Sequence, residues 1–278
     1  NTPDRFAALL ASVRAAAGAL PADTVVGIAP HSLRATAPDE LARVLPLATE
    51  APIHIHVAEQ PREVAEISAW LGARPVEWLL DNAEPGPRWC AIHATHMTEA
   101  EATALARSGA VAGLCPITEA NLGDGTFNGP AWLAAGGAFG IGSDSNVRIS
   151  LTEELRSLEY SQRLRDLARN VWVSGEGSVG QALYLGAARG GAQALGRDAG
   201  EIAVGRLADL VALDATHPAL CALPEARLLD GLAFAAPDGV VTDLWSAGRH
   251  MVRGGRHLAR EAIIAAYRRA VAALMQGL

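Results

Sequence analysis

Four side chains stand out in this sequence by type and order: His56 and Glu59 in a His-x-x-Glu pair, then His93, then Asp144. Each lies at or just past the end of a short apolar run. Metal-assisted hydrolysis needs such a set: an imidazole that donates a lone pair, a carboxylate that carries protons, a second imidazole, and a carboxylate beside an activated water. The four can act together only if their runs are neighbouring strands whose carboxyl ends open on one mouth, as in a parallel barrel.

In Ile53-His54-Ile55-His56-Val57-Ala58-Glu59, the strand period of two puts His54 and His56 on one face, pointing into such a barrel. His56, nearer the carboxyl end, is the expected metal ligand, and His54 is the expected core histidine. If His54 and His56 were instead an opening ligand pair, too few strands would follow to close a barrel. Glu59 lies within reach of a nucleophile held at His56 and is the expected proton carrier. His93 is expected to face the site, whereas His96 reads as a surface or supporting group. Asp144, in Gly140-Ile141-Gly142-Ser143-Asp144-Ser145, would be costly as a buried, unpaired carboxylate. Metal coordination and proton acceptance from water would justify that cost.

His31 and Arg34 share the mouth of an earlier run, Ile28-Ala29-Pro30-His31-Ser32-Leu33-Arg34. A guanidinium is planar, permanently charged and able to grip a carboxylate with two hydrogen bonds, so both residues are expected to bind a substrate carboxylate. The segment Thr118–Gly125 reads either as a substrate-facing loop or as an ordinary Gly/Asp turn. Arg163, Arg165 and Arg169 read as a solvated helix face.

The elements that must position these groups form an α/β pattern. Apolar, strand-like runs recur at Thr24–Ala29, Pro52–Ala58, Trp89–Ala94, Ala110–Cys115 and Ala138–Ser143, with helix-compatible segments between most of them. Thr98 with Glu101 and Ser150 with Glu153 have the spacing of capping boxes at helix starts. A (β/α)8 barrel of the TIM type needs eight such units in about 250 residues, and about five are visible, which predicts the C-terminal part of a barrel over residues 1–196. Helices are expected over 151–169 and 181–196. From Glu201 the register changes: Glu201–Asp214 reads as two short strands around a Gly turn, and Val240–Met251 as a strand pair turning at Gly248. This predicts a small β-sandwich domain over 197–258. A final helix, within 259–278, would carry Ile263, Ile264, Tyr267, Val271 and Leu274 on one face.

With 278 residues and 50% hydrophobic composition, the chain can bury a large core. A formal net charge of −7 and a pI near 5.6 leave no basic footprint for nucleic acid, which favours a small-molecule substrate. No apolar run is long enough for a membrane span, and a cytoplasmic location is expected. Cys90, Cys115 and Cys221 are odd in number and read as plain core or surface residues. All 23 basic residues are Arg, which excludes a lysine Schiff base or a carbamylated lysine bridging two metals, and so favours a mononuclear site.

These residues resemble the amidohydrolase superfamily, and within it most closely the formimidoylglutamate deiminases. The resemblance covers nearly the whole chain. Its motifs are APHSLRA at 29–35, HVAEQ at 56–60, WCAIHATHMT at 89–98, TEANLGDG at 118–125, GIGSDS at 140–145 and EELRSLEYSQRLR at 153–165. IAVGRLADLVALD at 202–214 resembles the superfamily's β-sandwich segment. The resemblance implies one divalent metal, zinc by expectation, held by His56, Asp144 and a His-x-His pair from an earlier strand. It also implies attack of an activated water on a formimidoyl carbon steadied by His93, with Glu59 shuttling protons and Arg34 and His31 holding a glutamate carboxylate. Ammonia and N-formyl-L-glutamate would be the products, in histidine degradation. Asn146 stands where some relatives are expected to carry His. A homodimer is one open arrangement. The alternatives are a deaminase of an amino-substituted purine, pyrimidine or triazine, and a non-catalytic remnant; lacking the first ligand pair, the chain alone is expected to be inactive.

Overall fold

A computed structural model describes residues 2–145, 147–173 and 177–276. Along the chain, helices α1 (Pro3–Ala17) and α2 (Pro38–Val44) precede strand β1 (Ile53–Val57). Next come α3 (Pro61–Leu71), α4 (Pro75–Asn82), β2 (Trp89–His93), α5 (Glu99–Arg107), β3 (Val111–Leu114), α6 (Pro116–Leu122), α7 (Gly129–Ala134) and β4 (Ala138–Ile141). The long helices α8 (Leu151–Asp166) and α9 (Val179–Ala194) lead into β5 (Leu210–Leu213) and α10 (Leu228–Phe234). The chain then forms β6 (Val241–Ser246), β7 (Arg249–Arg253), β8 (Arg256–His257) and α11 (Arg260–Met275).

Strands β1 to β4 form one parallel sheet in chain order, and β5 to β8 form a separate antiparallel sheet, also in chain order. The parallel strands coincide with four of the expected runs. Thr24–Ala29 does not become a strand: it contributes one isolated parallel bridge, Ile28 to Ile53, and a second, Ser32 to His56, follows beyond the run. Pro30 offers no N–H to a ladder, so pairing is interrupted between those two bridges. On β1, Ile53, Ile55 and Val57 are buried in the main core while His54 and His56 are half-buried on the other face, as the period of two demands.

Helix starts follow the chemistry of their first turns. At α5 the Thr98 hydroxyl accepts the Glu101 N–H at 3.2 Å and the Glu101 carboxylate accepts the Thr98 N–H at 2.7 Å, a complete capping box. At α8 only half of the expected box forms, because Ser150 caps Glu153 N–H while the Glu153 carboxylate turns outward to Arg148. Helix α9 lies close against β4. A Cβ at Gly186 would strike the Phe139 ring, one at Gly190 would overlap the Phe139 backbone, and one on Gly140 would sit 3.1 Å from Gly191 Cα.

The C-terminal region departs from expectation at two points. Ile202 and Val204 are exposed and outside any strand, leaving β5 as the only strand of the Glu201–Asp214 pair. Helix α11 forms, but no residue of it is buried; Ile263, Tyr267 and Leu274 lie open to solvent. The arginines of α8 are more engaged than a solvated face. Arg163 pairs with the buried Glu159 and lies over the Tyr160 and Phe234 rings, and Arg165 donates to the Phe127 carbonyl at 2.7 Å. Cys90 and Cys115 are buried and Cys221 is exposed, all as free thiols.

Candidate active site

The carboxyl ends of β1 and β2 and the segment before β1 bring the expected residues together. The His31 and His56 rings stack with centroids 4.8 Å apart, and His56 and His93 lie 5.6 Å apart. His56 Nδ1–H donates to the His31 carbonyl at 2.8 Å, which leaves Nε2 as the lone-pair donor. At the other end of the same strand face, His54 Nε2 is bonded to the Ala194 carbonyl at the end of α9 at 2.7 Å, as expected of a core histidine.

His93 reaches the site by leaving its strand. Register pairs it with Val57, and simple alternation would direct it to the face of Ile55's core neighbours. Its φ of 67°, followed by 48° at Ala94, breaks the pleat and brings the ring beside His56. Ala58 (φ 51°) and Asp144 (φ 47°) also adopt the left-handed conformation, which L-residues enter at a cost. The chain thus takes left-handed backbone at or just before three residues expected to do chemistry: at Ala58 before Glu59, at His93 and at Asp144.

Glu59 sits between two partners. Its Oε2 accepts from Arg34 Nη2 at 2.9 Å, and its Oε1 lies 3.7 Å from His93 Nε2. The turn that carries Glu59 is pinned from below, since the buried Glu63 carboxylate accepts the Ala58 and Glu59 N–H groups at 3.1 and 2.8 Å. Arg34 and His31 are both at the open mouth, and Arg34 faces Glu63 as well, at 3.9 Å. Burial and the positive fields of His56 and Arg34 lower the His31 pKa against the pull of Glu59 and Glu63. Burial by itself would lower the His93 pKa too, but its hydrogen bond to Glu119 and the charges of Glu119, Glu59 and Asp144 outweigh this and raise it.

Asp144 is not the buried carboxylate expected; it is exposed, in a turn three residues beyond β4. The small residues Gly142 and Ser143 carry the chain past the strand end before it turns, so the carboxylate meets solvent at the rim. Asn146 lies outside the described residues. For a metal, His56 with its free Nε2 and the Asp144 carboxylate are chemically suitable donors, the pairing of imidazole and carboxylate that divalent zinc accepts. Among the described residues no group of three or more His, Cys, Asp or Glu is arranged to hold a metal ion.

Sequence reasoning missed Glu63 and Glu119. Glu63 is signalled by position, at the third residue of a helix opening with Pro61, where a carboxylate reaches back to free N–H groups. The Thr118–Gly125 segment is neither a loop nor a simple turn: it holds most of α6, whose Glu119 accepts from His93 Nδ1 at 3.3 Å. Its end is also tied down, with Gln60 donating to Asp124 Oδ1 at 2.8 Å and His96 to the Asp124 carbonyl at 2.6 Å. His96 is therefore a supporting group. It lines an outer cleft of about 1010 Å³ with Arg74, Thr95 and Arg165, which none of the six site residues borders.

A sheet of parallel strands with imidazoles and carboxylates converging at its carboxyl edge is the frame of a metal-dependent hydrolase, and the chain belongs to the amidohydrolase family, which matches residues 8–251. It is 49% identical over 263 residues to the formimidoylglutamate deiminase of Pseudomonas aeruginosa, covering 94% of this chain and 58% of that protein. A crystal structure of an amidohydrolase from Brucella melitensis superposes with a TM-score of 0.93 at 50% identity, covering 99% of this chain and 60% of the other. An adenosine deaminase from Xanthomonas campestris, solved with bound zinc, gives a TM-score of 0.88 at 26% identity, with 99% and 62% coverage. The chain thus spans about three fifths of the length of these relatives. Their folds are of the TIM-barrel type, and this chain shares their α/β organisation with a parallel sheet. No helix among the described residues is long and apolar enough to cross a membrane.

Proposed function

We propose that this chain carries the later half of the active site of a deiminase that hydrolyses N-formimidoyl-L-glutamate to N-formyl-L-glutamate and ammonia, as in histidine degradation. In this reading residues 1–196 belong to a (β/α)8 barrel, 197–258 to a small β-sandwich and 259–278 to a terminal helix. The observation that carries it is the Arg34–Glu59 pair at 2.9 Å: a carboxylate-gripping cation stands one hydrogen bond from the proton carrier. The 49% identity to a formimidoylglutamate deiminase supports the same choice of substrate.

A divalent metal, zinc by analogy with the zinc-bound adenosine deaminase, would be held by His56 and Asp144 with further ligands that the described residues do not supply. When bound it supplies the Lewis acidity that makes water nucleophilic at neutral pH. The chain's own residues do the rest. The substrate carboxylate takes the Arg34 guanidinium with His31 beside it, and Arg34 in turning to the substrate releases Glu59 Oε2. Glu59 then moves a proton from the attacking water to the leaving nitrogen, and His93, its Nδ1–H held by Glu119, turns Nε2 toward the oxygen added at the formimidoyl carbon and donates to it when the ring is doubly protonated. Water adds across the C=N bond with one of its protons reaching the terminal nitrogen through Glu59; the second then passes from the new hydroxyl to the same nitrogen as the C–N bond breaks, which leaves the formyl carbonyl and releases ammonia.

The test is ammonia release from N-formimidoyl-L-glutamate by the metal-loaded full-length protein, with adenosine and an aminotriazine as competitors. Turnover of the ring substrates in place of the first would sink the reading. Arg34→Ala is expected to raise KM or lower kcat/KM by about 10²-fold, the loss of a charged, bidentate contact, with metal content unchanged. Loss of metal from that variant would refute the role given to Arg34.

A further inference from the structure

The deepest polar contact of the site lies on the far side of His93. His93 is 1% exposed, and its Nδ1 lies 3.3 Å from Glu119 Oε1, itself buried. That same oxygen accepts the Cys115 N–H at 2.9 Å. An oxygen that takes one firm backbone hydrogen bond and a second from a ring nitrogen is an acceptor in both, so the ring must present Nδ1–H to it. The opposite nitrogen, Nε2, is then the one turned toward Glu59, at 3.7 Å.

Glu119 cannot easily drift from this position. It lies in the first turn of α6, whose start is held by three separate contacts. Ile117 N–H donates to the buried Glu154 at 2.8 Å, Thr118 Oγ1 donates to the Ser143 carbonyl at 3.2 Å, and Thr118 pairs with Ser145 Oγ at 2.9 Å. At the other end Gly123, with φ 72°, closes the helix, and the Asp124 N–H returns to the Glu119 carbonyl at 2.9 Å. The His93 ring needs such a stop, because the left-handed backbone that brings it to the mouth sets its Cα but not the rotation of its ring.

We propose that Glu119 is the positioning residue for His93, fixing its Nδ1–H tautomer and ring plane so that Nε2 faces Glu59 and the reacting carbon. The inference rests on the hydrolase reading for its catalytic meaning, but its structural half stands independently. A carboxylate behind an imidazole that acts on substrate typically carries a 10- to 100-fold effect, roughly, when removed.

The experiment reads the tautomer directly, by ¹⁵N spectra of the imidazole in the intact protein at a pH well above neutral, with His93→Asn to assign the signals. Wild type and Glu119→Gln, whose amide oxygen still accepts, are expected to show Nδ1–H; Glu119→Ala is expected to lose it for a mixture or the Nε2–H form. In the metal-loaded enzyme Glu119→Ala should lower kcat about 10- to 100-fold with KM little changed, and Glu119→Gln should recover most of the rate. An Nε2–H tautomer in wild type, or a tautomer unchanged in Glu119→Ala, overturns the proposal. If Glu119→Ala does not fold, the wild-type and Glu119→Gln spectra decide alone. The spectra need no turnover, so a full-length, metal-loaded protein that shows the expected tautomer but releases no ammonia from N-formimidoyl-L-glutamate overturns the deiminase reading and leaves the Glu119 assignment standing.

Discussion

The two sheets of this molecule spend conformational freedom differently. At the carboxyl edge of the parallel sheet, Ala58, His93, Ala94 and Asp144 all take left-handed backbone without being glycine, and buried carboxylates at 63 and 119 hold the turns around them. In the antiparallel sheet the β6–β7 hairpin turns through Ala247 and Gly248, a tight connection of ordinary type, and its strand residues are only half-buried. The first region accepts such strain at four residues together with buried charge, features that reduce stability; the second takes the same strain at one residue, Ala247 (φ 46°), and buries none of its charged side chains. That difference separates the two regions more clearly than histidine content does, since the second sheet also has a histidine stacked on an aromatic ring, His250 on Trp245.

The comparison is broken most severely by substituting those two histidines. His93→Ala is expected to lower ammonia release by about 10² to 10⁴-fold, the range for a general acid or base, while His250→Ala leaves it unchanged. Equal losses in steady-state assays would mean that strain at β2 does not mark function. Stability should divide the same way. Trp132, fully buried near β4, is expected to lose about 3–5 kcal/mol on truncation to Ala, whereas Ile263→Ala on α11 should stay within about 0.5 kcal/mol in denaturant melts.

The smallest effect concerns a buried charge. Burial lifts the Glu154 carboxyl from its usual 4.5 to about 7; the Ile117 N–H opposes the shift and the nearby charge of Glu119 adds to it. The folded chain therefore keeps a proton that the unfolded chain releases, so this group's contribution to stability falls as pH rises from 4.5 to about 7 and is level above. Glu154→Gln, which still accepts the Ile117 N–H, should flatten that slope and raise the melting temperature above neutral pH. Thermal melts across that range check it; an unchanged slope would place the titration elsewhere.

Strands β1 to β4, the placement of His56 and Glu59 at the carboxyl end of β1 and that of His54 deeper along the same face could be read from alternation and from the carboxyl-end rule, because both depend only on local order. The helix starting at Thr98 could be read because its cap is self-contained. What could not be read depends on partners far along the chain. Thr24–Ala29 has strand-like residues but meets β1 only at the Ile28–Ile53 bridge; Ile202 and Val204 have the right types but lie outside any strand. Glu119 looked like part of a Gly/Asp turn, and only the parallel pairing of β2 with β3 puts α6 behind His93. Asp144 was expected in the interior because strand pattern alone carries no information on how far the chain runs on before it turns.

Helix α9 bears on the distance between His56 and Asp144, the two residues proposed to hold a metal. Strands β1 and β4 are the opposite edges of the parallel sheet, and His56 and Asp144 follow from them. The helix reaches both: its glycines at 186 and 190 lie flat on Phe139 of β4, and its final carbonyl, at Ala194, holds His54 of β1. It acts as a cross-brace spanning the sheet, with a fixed length of its own. The separation of the donors is thereby gauged from the closed end of the strands, so that a substitution as small as one methyl group at Gly190 would respace the site without touching any residue that faces the substrate.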